Sequence, residues 1–403
     1  MRHERGLLFL IVLSLISIGI VMIYSSSAIY ANERYGDTTY FLKRHLLQLA
    51  VGLVAFGATL AVPYQRLRRY AKGLVFISFL LLLLVLIPPF GRRGGGASRW
   101  LWMGPFSFQP SEAAKIILLI YLSDYLTRKR SLLSSFRDGF LPPFLVMGAM
   151  VLLILVQPDL GTAFAVFILT FLLFFVAGIR PRVLVGCLMG TLPLFVLLIL
   201  LEPYRWRRIV AFLHPEQDPM GAGFQVIQSK IALGSGALTG IGLGQSHQKL
   251  FYLPASHTDF IFSIIGEELG LLGTLSLLAL FFLFTVVSLR ILWRVRDGFG
   301  RLLGFGLTLM IALEAMVNIA VTCAAIPTKG LPLPFVSYGG SALMFNLVAV
   351  GLLLNISKYG SQMLPGSQEV LEYPKGFFRP QHFQFEPSLS ASLRIEGSGD
   401  SRA

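Results

Sequence analysis

The sequence predicts an all-α polytopic membrane protein with about ten transmembrane helices. Of the 403 residues, 55% are hydrophobic and 13% are charged, and the mean hydropathy is +0.72. Soluble domains carry about 25% charged residues. Apolar runs long enough to cross a hydrocarbon core of about 30 Å also recur along the whole chain. A soluble protein of this length could not bury so much apolar surface.

The predicted spans follow the apolar runs in chain order. At a rise of about 1.5 Å per residue, each run covers most or all of the hydrocarbon core. The predicted spans are 7–29, 45–63, 72–89, 110–127, 140–156, 161–178, 182–201, 259–289, 302–325 and 339–356. Residues 1–358 therefore form one transmembrane domain.

Basic residues cluster between alternate spans. The chain carries 34 Lys and Arg against 20 Asp and Glu, a net charge of +14. Such an excess can indicate nucleic-acid binding, but alternation of the basic loops is the positive-inside pattern of membrane proteins. The clusters on one side are Arg2 and Arg5, then Arg66, Arg68, Arg69 and Lys72, then Arg128, Lys129, Arg130 and Arg137, then Arg180 and Arg182, and then Arg290, Arg294, Arg296 and Arg301. We expect both termini in the cytoplasm and no nucleic acid as a partner.

Two segments lie outside the predicted spans. Residues 202–258 form a long outer segment, and loops of this length are usually either functional or disordered. Because this one contains aromatic residues and an amphipathic stretch, we expect it to be ordered and partly embedded in the membrane. The tail 359–403 is polar and lacks periodicity, so we expect a disordered cytoplasmic tail. Cys187 and Cys323 each lie in apolar stretches and indicate neither a disulfide nor a metal site.

Ionisable residues near membrane depth are the candidates for function, because their unpaired burial is costly. Glu112 and Lys115 are three residues apart at the start of the fourth span, so they can form a structural ion pair or contact a substrate. Asp159 precedes the sixth span. It can cap that helix or hold a divalent cation, and the cap is the simpler interpretation.

The outer segment contains basic, glycine-rich and amphipathic stretches. Arg205, Arg207 and Arg208 are basic candidates for an anionic substrate. The glycines between 234 and 244 could let backbone N–H groups approach a phosphate, but a flexible turn is the simpler interpretation. Gln225, Gln228 and Ser229 form the polar side of the amphipathic stretch.

His257, Thr258 and Asp259 lead into the eighth predicted span. On a regular helix, Ser263, Gly266 and Gly270 would lie within about 40° of Asp259. This stripe of small residues predicts either tight helix packing or a groove for a lipid-linked substrate. A single carboxylate at the mouth of a groove suggests a general base and differs from the carboxylate pair of glycosidases.

The segment 326–341 contains three prolines, which exclude a continuous helix. Its lone cation, Lys329, can reach the membrane interface or contact an anion, while Gly339 and Gly340 permit close backbone approach. The sequence contains no Walker A motif, HExxH, Cys/His cluster or GxSxG elbow. Any reaction must therefore draw its energy from the substrate or from an ion gradient.

Together these segments resemble the SEDS family (shape, elongation, division and sporulation) of bacterial peptidoglycan glycosyltransferases, over nearly the whole chain to about residue 358. The resemblance rests on the order and spacing of its motifs: Gln109-Pro110-Ser111-Glu112, Gln157-Pro158-Asp159-Leu160-Gly161-Thr162, Gly223-Phe224-Gln225 with Gln228-Ser229, Tyr252-Leu253-Pro254, His257-Thr258-Asp259-Phe260, Gly266-Glu267-Glu268-Leu269-Gly270 and Leu331 to Ser341. The residues Tyr24 to Ala28 and Lys329 to Ser341 are more similar to the division branch than to the elongation branch.

The resemblance implies polymerisation of lipid II, the undecaprenyl-diphosphate-linked disaccharide-pentapeptide, on the outer side of the bacterial inner membrane at the septum. It implies partnership with a class B penicillin-binding protein and other division proteins. The family's essential aspartate corresponds to Asp259. The other motif positions then become substrate-binding candidates: Glu112, Lys115, Asp159, Gln225, Gln228, Ser229, His257, Thr258, Lys329, Ser337, Gly339, Gly340 and Ser341.

An inverting displacement follows as the hypothesis. Asp259 would remove a proton from the acceptor hydroxyl. The leaving diphosphate needs positive charge from Lys329, from the arginines at 205–208 or from a divalent cation such as Mg²⁺ or Mn²⁺, for which Asp259 and Asp159 are candidate ligands. No organic cofactor is expected. Two alternatives remain open, a lipid II flippase and a noncatalytic division scaffold.

Overall fold

The computed structural model describes residues 2–87, 91–94, 97–103, 106–221 and 223–360, and these are predominantly helical. The prediction of an all-α polytopic membrane protein is confirmed. The predicted tail 359–403 lies outside the described residues except for its first two positions.

Ten of the described helices have 16 residues or more. They are α1 (Arg2–Tyr35), α2 (Tyr40–Ala61), α3 (Gln65–Leu84), α4 (Pro110–Arg128), α5 (Leu141–Val156), α6 (Leu160–Ala177), α7 (Pro181–Leu200), α10 (Ile261–Trp293), α11 (Gly298–Thr322) and α12 (Gly340–Tyr359). Eight of them are long and apolar enough to cross a membrane, counting α5 with the π turn Phe136–Phe140 before it. The other two, α3 and α4, each carry four charged side chains within 20 and 19 residues, so the count of ten spans stays a prediction.

The buried core is formed where these helices pack against one another. Helix α4 lies inside the bundle, with most of its residues buried, and α11 and α12 are also largely buried. By contrast, only 11% of the most apolar stretch of α7 is buried. A membrane protein exposes such apolar surface to lipid, so α7 is at the periphery of the bundle.

The outer segment 202–258 contains two helices, α8 (Pro203–Leu213) and α9 (Phe224–Ser235), joined by the short turn Pro215–Gln217. After α9, the described residues 236–260 form turns and irregular chain up to the start of α10. Its predicted entry into the membrane stays a prediction.

A small antiparallel sheet precedes α4, and the sequence analysis did not predict it. Its strands are β1 (Gly91–Gly94), β2 (Ala97–Met103) and β3 (Phe106–Phe108), paired in the order β1-β2-β3. The alternation of apolar and polar residues around Trp100 is too short to distinguish a strand from a loop. The sheet leads directly into the proline that opens α4, and so it brings Arg99 to the site described below.

Candidate functional site

Asp259 lies in a turn, not on a regular helix as the sequence analysis assumed. Helix α10 begins at Ile261, two residues after the acid, and Phe260 N donates to Ala255 O at 3.3 Å. The side chain of Asp259 is half-buried, so it is partly removed from water and still accessible.

The predicted groove of small residues below Asp259 is wrong, and the alternative of tight packing is correct. Gly270 interrupts α10 with φ 66° and ψ −163°, a conformation that favours glycine. The backbone around Gly240 fills the space beside this kink: Ile241 N and Gly242 N donate to the carbonyls of Glu267 and Glu268, each at 3.0 Å. Gly236, Gly240, Gly266 and Gly270 therefore serve close packing, and the N–H groups of 241 and 242 are used within the fold.

The turn that carries Asp259 is fixed to the segment before α12. Ser337 Oγ donates to Thr258 O at 2.6 Å and accepts from Leu333 N at 2.8 Å, and Tyr338 N donates to His257 O at 3.0 Å. Thr258 and Ser337, both predicted site residues, thus hold the two segments together. A Cβ atom on Gly330 would lie 2.9 Å from Asp259 Oδ2, so the carboxylate contacts this exposed glycine closely.

Cationic side chains from three separate segments lie in this region: Arg208 and Arg99 act on the Asp259 carboxylate, and Lys329 precedes Gly330, which the carboxylate contacts. From α8, Arg208 donates to Thr328 O at 3.1 Å, next to Lys329. From β2, Arg99 Nε lies 3.8 Å from Asp159 Oδ2. The Lys329 ammonium lies 4.3 Å from the centroid of the Phe164 ring.

The other two predicted arginines do not share this arrangement. Arg205 donates to Leu198 O at 2.8 Å and so turns towards the end of α7, while Arg207 is exposed. The structure therefore selects Arg208 from the three candidates on α8.

The electrostatic environment shifts the pKa of three groups at this site. Burial raises the pKa of Asp259 to about 6, although Arg208 and Arg99 oppose that rise. Burial lowers the pKa of Lys329, with Asp159 acting in the opposite direction. Burial also lowers the pKa of His257 to about 4, so its imidazole is neutral at physiological pH and packs 4.7 Å from the Phe41 ring. Asp259 is therefore suited to accept a proton near neutral pH.

Asp159 caps α6, as the simpler interpretation predicted. Its Oδ1 accepts from Thr162 N at 3.1 Å, and its Oδ2 accepts from the Thr162 hydroxyl at 3.0 Å and from Gln109 Nε2 at 3.5 Å. These oxygens are already bonded and lie beside cations, which disfavours a preformed metal site. Among the described residues, no three His, Cys, Asp or Glu side chains cluster closely enough to hold a metal ion. The described residues around Asp159 and Asp259 therefore do not fit a permanently bound metal ion. A requirement for a divalent cation in the reaction stays a prediction.

Glu112 and Lys115 form the predicted ion pair, with 2.8 Å between Lys115 Nζ and Glu112 Oε1. Lys115 also pairs with Glu314 of α11, and all three side chains are buried. Glu314 and Lys329 line the same cavity of about 40 Å³ between α6 and α11, whose other walls are mainly apolar. One wall of this cavity is therefore formed by a member of the ion triad and another by Lys329.

The remaining predicted residues lie in structural contacts. Ser229 Oγ lies 2.6 Å from Ser263 Oγ and from Thr322 O, which ties α9 to α10 and α11. Gln225 and Gln228 are half-buried on the same helix. Ser341 donates to Ser107 O at 2.9 Å and accepts from Gln109 N at 3.0 Å.

The glycines at the start of α12 differ in how closely they are packed. A side chain on Gly340 would overlap the amide of Gln48, whereas one on Gly339 would make ordinary contacts with Pro332.

Sequence reasoning missed Arg99, Glu314 and Asn318. Asn318 Nδ2 donates to Asp259 O at 2.9 Å and to Leu331 O at 2.7 Å. The isolated polar residues within the apolar run of α11 were a usable signal, because polar side chains at membrane depth are often functional. Arg99 had no such signal.

Comparisons with known proteins place these features in one family. The model of the family described as "Cell cycle protein", which covers FtsW, RodA and SpoVE, matches residues 5–362. The chain is 47% identical over 350 residues to a probable peptidoglycan glycosyltransferase FtsW of Trichlorobacter lovleyi, covering 87% of this chain and 92% of the relative. It is 43% identical to the stage V sporulation protein E of Bacillus subtilis, covering 88% and 96% of the two chains.

Solved structures agree with this grouping. A chain from a peptidoglycan synthase complex, solved to explain how polymerization and crosslinking are coordinated, has 32% identity and a TM-score of 0.75, covering 88% of this chain and 98% of that one. The rod shape determining protein RodA of Thermus thermophilus has 29% identity and a TM-score of 0.66, covering 88% and 97%. The identities are higher to the FtsW and SpoVE sequences than to RodA, as the resemblance to the division branch predicted. The chain therefore belongs to the FtsW/RodA/SpoVE family, the SEDS family that its motifs resemble.

Proposed function

We propose that this chain is a peptidoglycan glycosyltransferase that polymerises lipid II into glycan strands during septal cell-wall synthesis. The observation that carries the proposal is the half-buried carboxylate of Asp259, which lies against the exposed Gly330 and under the influence of Arg208 and Arg99. The relatives named as peptidoglycan glycosyltransferases cover most of the chain and support the same activity.

The reaction is an inverting displacement at the anomeric carbon of the donor sugar. The acceptor hydroxyl forms the new C–O bond, the bond to the lipid diphosphate breaks, and Asp259 accepts the hydroxyl proton. A pKa of about 6 keeps most of this carboxyl ionised at pH 7 and leaves it more basic than a solvated aspartate. No covalent intermediate is required, because a single displacement inverts the anomeric configuration.

Arg208, Lys329 and Arg99 are the residues that we assign to the leaving diphosphate. Positive charge that is already in place stabilises the negative charge developing on the departing oxygen without reorganisation. The guanidinium groups of Arg99 and Arg208 can bind phosphate oxygens in pairs, whereas Lys329 acts as a point charge. A divalent cation would assist only if it arrived with the diphosphate oxygens, and no step above depends on it.

The location and partner of the enzyme follow from the same family. We infer that it acts in the bacterial inner membrane at the division septum, with Asp259 on the outer side and both termini in the cytoplasm. A class B penicillin-binding protein would crosslink the product, and other division proteins would recruit the pair. The solved relative from a peptidoglycan synthase complex supports a partner of this kind.

The test uses the purified chain together with its class B penicillin-binding protein, inactivated at the crosslinking serine. Lipid II is added with Mg²⁺ or Mn²⁺, and the products are separated on a gel that resolves glycan length. The wild-type protein should give a ladder, and Asp259→Asn should give none. Because burial disfavours the ionised carboxylate, the neutral amide should not lower the unfolding temperature.

Asp37→Asn is the matched control, since Asp37 lies in the exposed turn between α1 and α2 and pairs with Lys43. This variant should retain the ladder. A ladder from Asp259→Asn would refute the role of this acid. Transport of lipid II across vesicles without any ladder from the wild-type protein would move the chain to the flippase class.

A further inference from the structure

We infer that Asn318 is a positioning residue for the glycosyltransfer reaction: its side-chain amide holds the peptide of Asp259 at a fixed spacing from the segment that carries Lys329 and Gly330. The inference rests on the proposed function and assigns a role to a residue of α11 that lies outside the motifs described above.

The geometry of the amide is specific. Asn318 is 1% exposed, and its Nδ2 donates to Asp259 O at 2.9 Å and to Leu331 O at 2.7 Å. Only the NH₂ end of the amide can face two carbonyl oxygens, since a carbonyl offers no proton. Both protons of one nitrogen are therefore used to join two segments that are 72 residues apart in the sequence, from 259 to 331.

The second half of the amide has no comparable use. Asn318 Oδ1 is buried and has no hydrogen-bond partner among the described residues. An unpaired buried acceptor is unfavourable, so a fold that needed only packing here would be better served by an apolar side chain. The two bonds made by Nδ2 account for the presence of an amide.

The bridge lies beside the carboxylate of Asp259. Leu331 follows Gly330, and Gly330 is the residue against which the carboxylate of Asp259 lies. If the two backbones separated, Asp259 would move relative to the acceptor hydroxyl and to Lys329 together. Misplacement of a reacting group by about 1 Å can reduce a rate about 100-fold.

Asn318 is also connected to the buried ion triad through its own helix. Glu314 lies one turn earlier on α11 and pairs with Lys115 of α4. Residues four apart share one face of a helix. The same face of α11 is thus fixed to α4 by the ion pair of Glu314 and to the turn that carries Asp259 by the amide of Asn318.

The test compares Asn318→Ala with Asn355→Ala, because Asn355 is a second buried asparagine, among the described residues, whose side chain joins separate segments. Asn355 Nδ2 donates to the carbonyls of Thr59, Leu60 and Val62, and its Oδ1 accepts from Tyr64 N. It ties α12 to the end of α2 and contacts none of the groups assigned to the reaction. Both variants lose a buried asparagine, but only one loses the bridge to Asp259.

Polymerisation is measured with lipid II and the same inactivated partner, normalised to folded protein. We expect Asn318→Ala to lower kcat about 10- to 100-fold while KM for lipid II changes less than about threefold. Asn355→Ala should lower the unfolding temperature without lowering kcat of the folded fraction. Equal kcat values in the two variants would overturn the inference.

A pH profile provides a readout that a purely structural role would not move. The charged groups that face Asp259 are Arg208 and Arg99, with Lys329 nearby, and the Asn318→Ala substitution leaves all three unchanged. Release of the turn should hydrate the carboxylate and move the acidic limb of kcat/KM to lower pH in Asn318→Ala alone. An unmoved limb together with unchanged kcat would refute positioning, whereas a wild-type protein that makes no glycan would refute the proposed function instead.

Discussion

At the scale of single residues, the reactive properties of the site depend on partial burial. Asp259 is desolvated enough for its pKa to rise to about 6, while Arg208 and Arg99 keep it from rising further. It thereby combines access to substrate with basicity near neutral pH. A fully solvated aspartate, with a pKa of about 3.9, would be a weaker base.

This balance predicts the pH dependence of the reaction. A general base works only when deprotonated, and the folded-state pKa of Asp259 is raised, so kcat/KM should increase with pH through about 6 and then level off. Initial rates of lipid II polymerisation between pH 4.5 and 8 measure this limb. A rise of kcat/KM centred near pH 4 would show that burial does not raise the pKa of Asp259.

At Gly330, the addition of a single methyl group should strongly reduce the rate of polymerisation. In Gly330→Ala, the added methyl group would lie 2.9 Å from Asp259 Oδ2 and force the carboxylate to move. We expect kcat to fall about 10- to 100-fold. Gly148→Ala in α5, where an added Cβ meets nothing within 4 Å, should remain fully active. Similar rates for both variants would show that the contact with Asp259 is unimportant.

The sequence was informative about the acid and less informative about what surrounds it. Asp259, Lys329 and Arg208 were all candidates from their residue types and positions. The sequence analysis did not select Glu314, Asn318 or Arg99, because each contacts the site or the ion triad from a segment that is distant in the sequence. Glu314 meets Lys115 across 199 positions of sequence, and helical periodicity carries no information about such a contact.

At the scale of elements, the contact between α4 and α11 contains one buried lysine shared by two glutamates. Loss of the lysine would leave two carboxylates buried without a cation. Removal of one partner of a buried ion pair typically lowers stability by about 3–5 kcal/mol. The triad is thus a strong constraint on how these two helices pack.

Lys115→Met should therefore lower the free energy of unfolding by about 3–5 kcal/mol, whereas Glu314→Gln, which leaves one acid and one base, should lower it less. Denaturation followed by circular dichroism in detergent measures both. The control is Lys43→Met, because Lys43 pairs with Asp37 at an exposed position and such pairs contribute about 0–1 kcal/mol. Equal losses at Lys115 and Lys43 would contradict the role of the triad.

Element boundaries were predicted best where polar residues end an apolar run. The predicted spans 110–127 and 182–201 agree closely with α4 and α7. Helices α1 and α3 begin earlier than predicted, at Arg2 and Gln65, because a hydropathy pattern excludes the basic turns that continue the helix into the interface. The kink at Gly270 was missed, since a glycine in an apolar run also fits a straight helix.

At the scale of the whole molecule, the alternation of basic loops predicts that Arg66 and Asp259 lie on opposite sides of the membrane. Single cysteines test this in a chain in which Cys187 and Cys323 are replaced by serine. Met220→Cys, at a position that is 87% exposed, should react with a membrane-impermeant maleimide in spheroplasts. Arg66→Cys should react only after permeabilisation. The reverse labelling would invert the topology and place Asp259 inside the cell.

The dispersion of the site along the chain has a consequence for biosynthesis. Arg99, Arg208 and Asp259 are translated before α11, but Asn318, Gly330 and Ser337, which hold the acid in place, come from α11 and the segment after it. A nascent chain that has inserted its first eight long helices, α1 to α7 and α10, therefore carries the acid without the contacts that position it. We therefore expect a fragment released before α11 and the segment after it have been translated to be inactive in glycan synthesis.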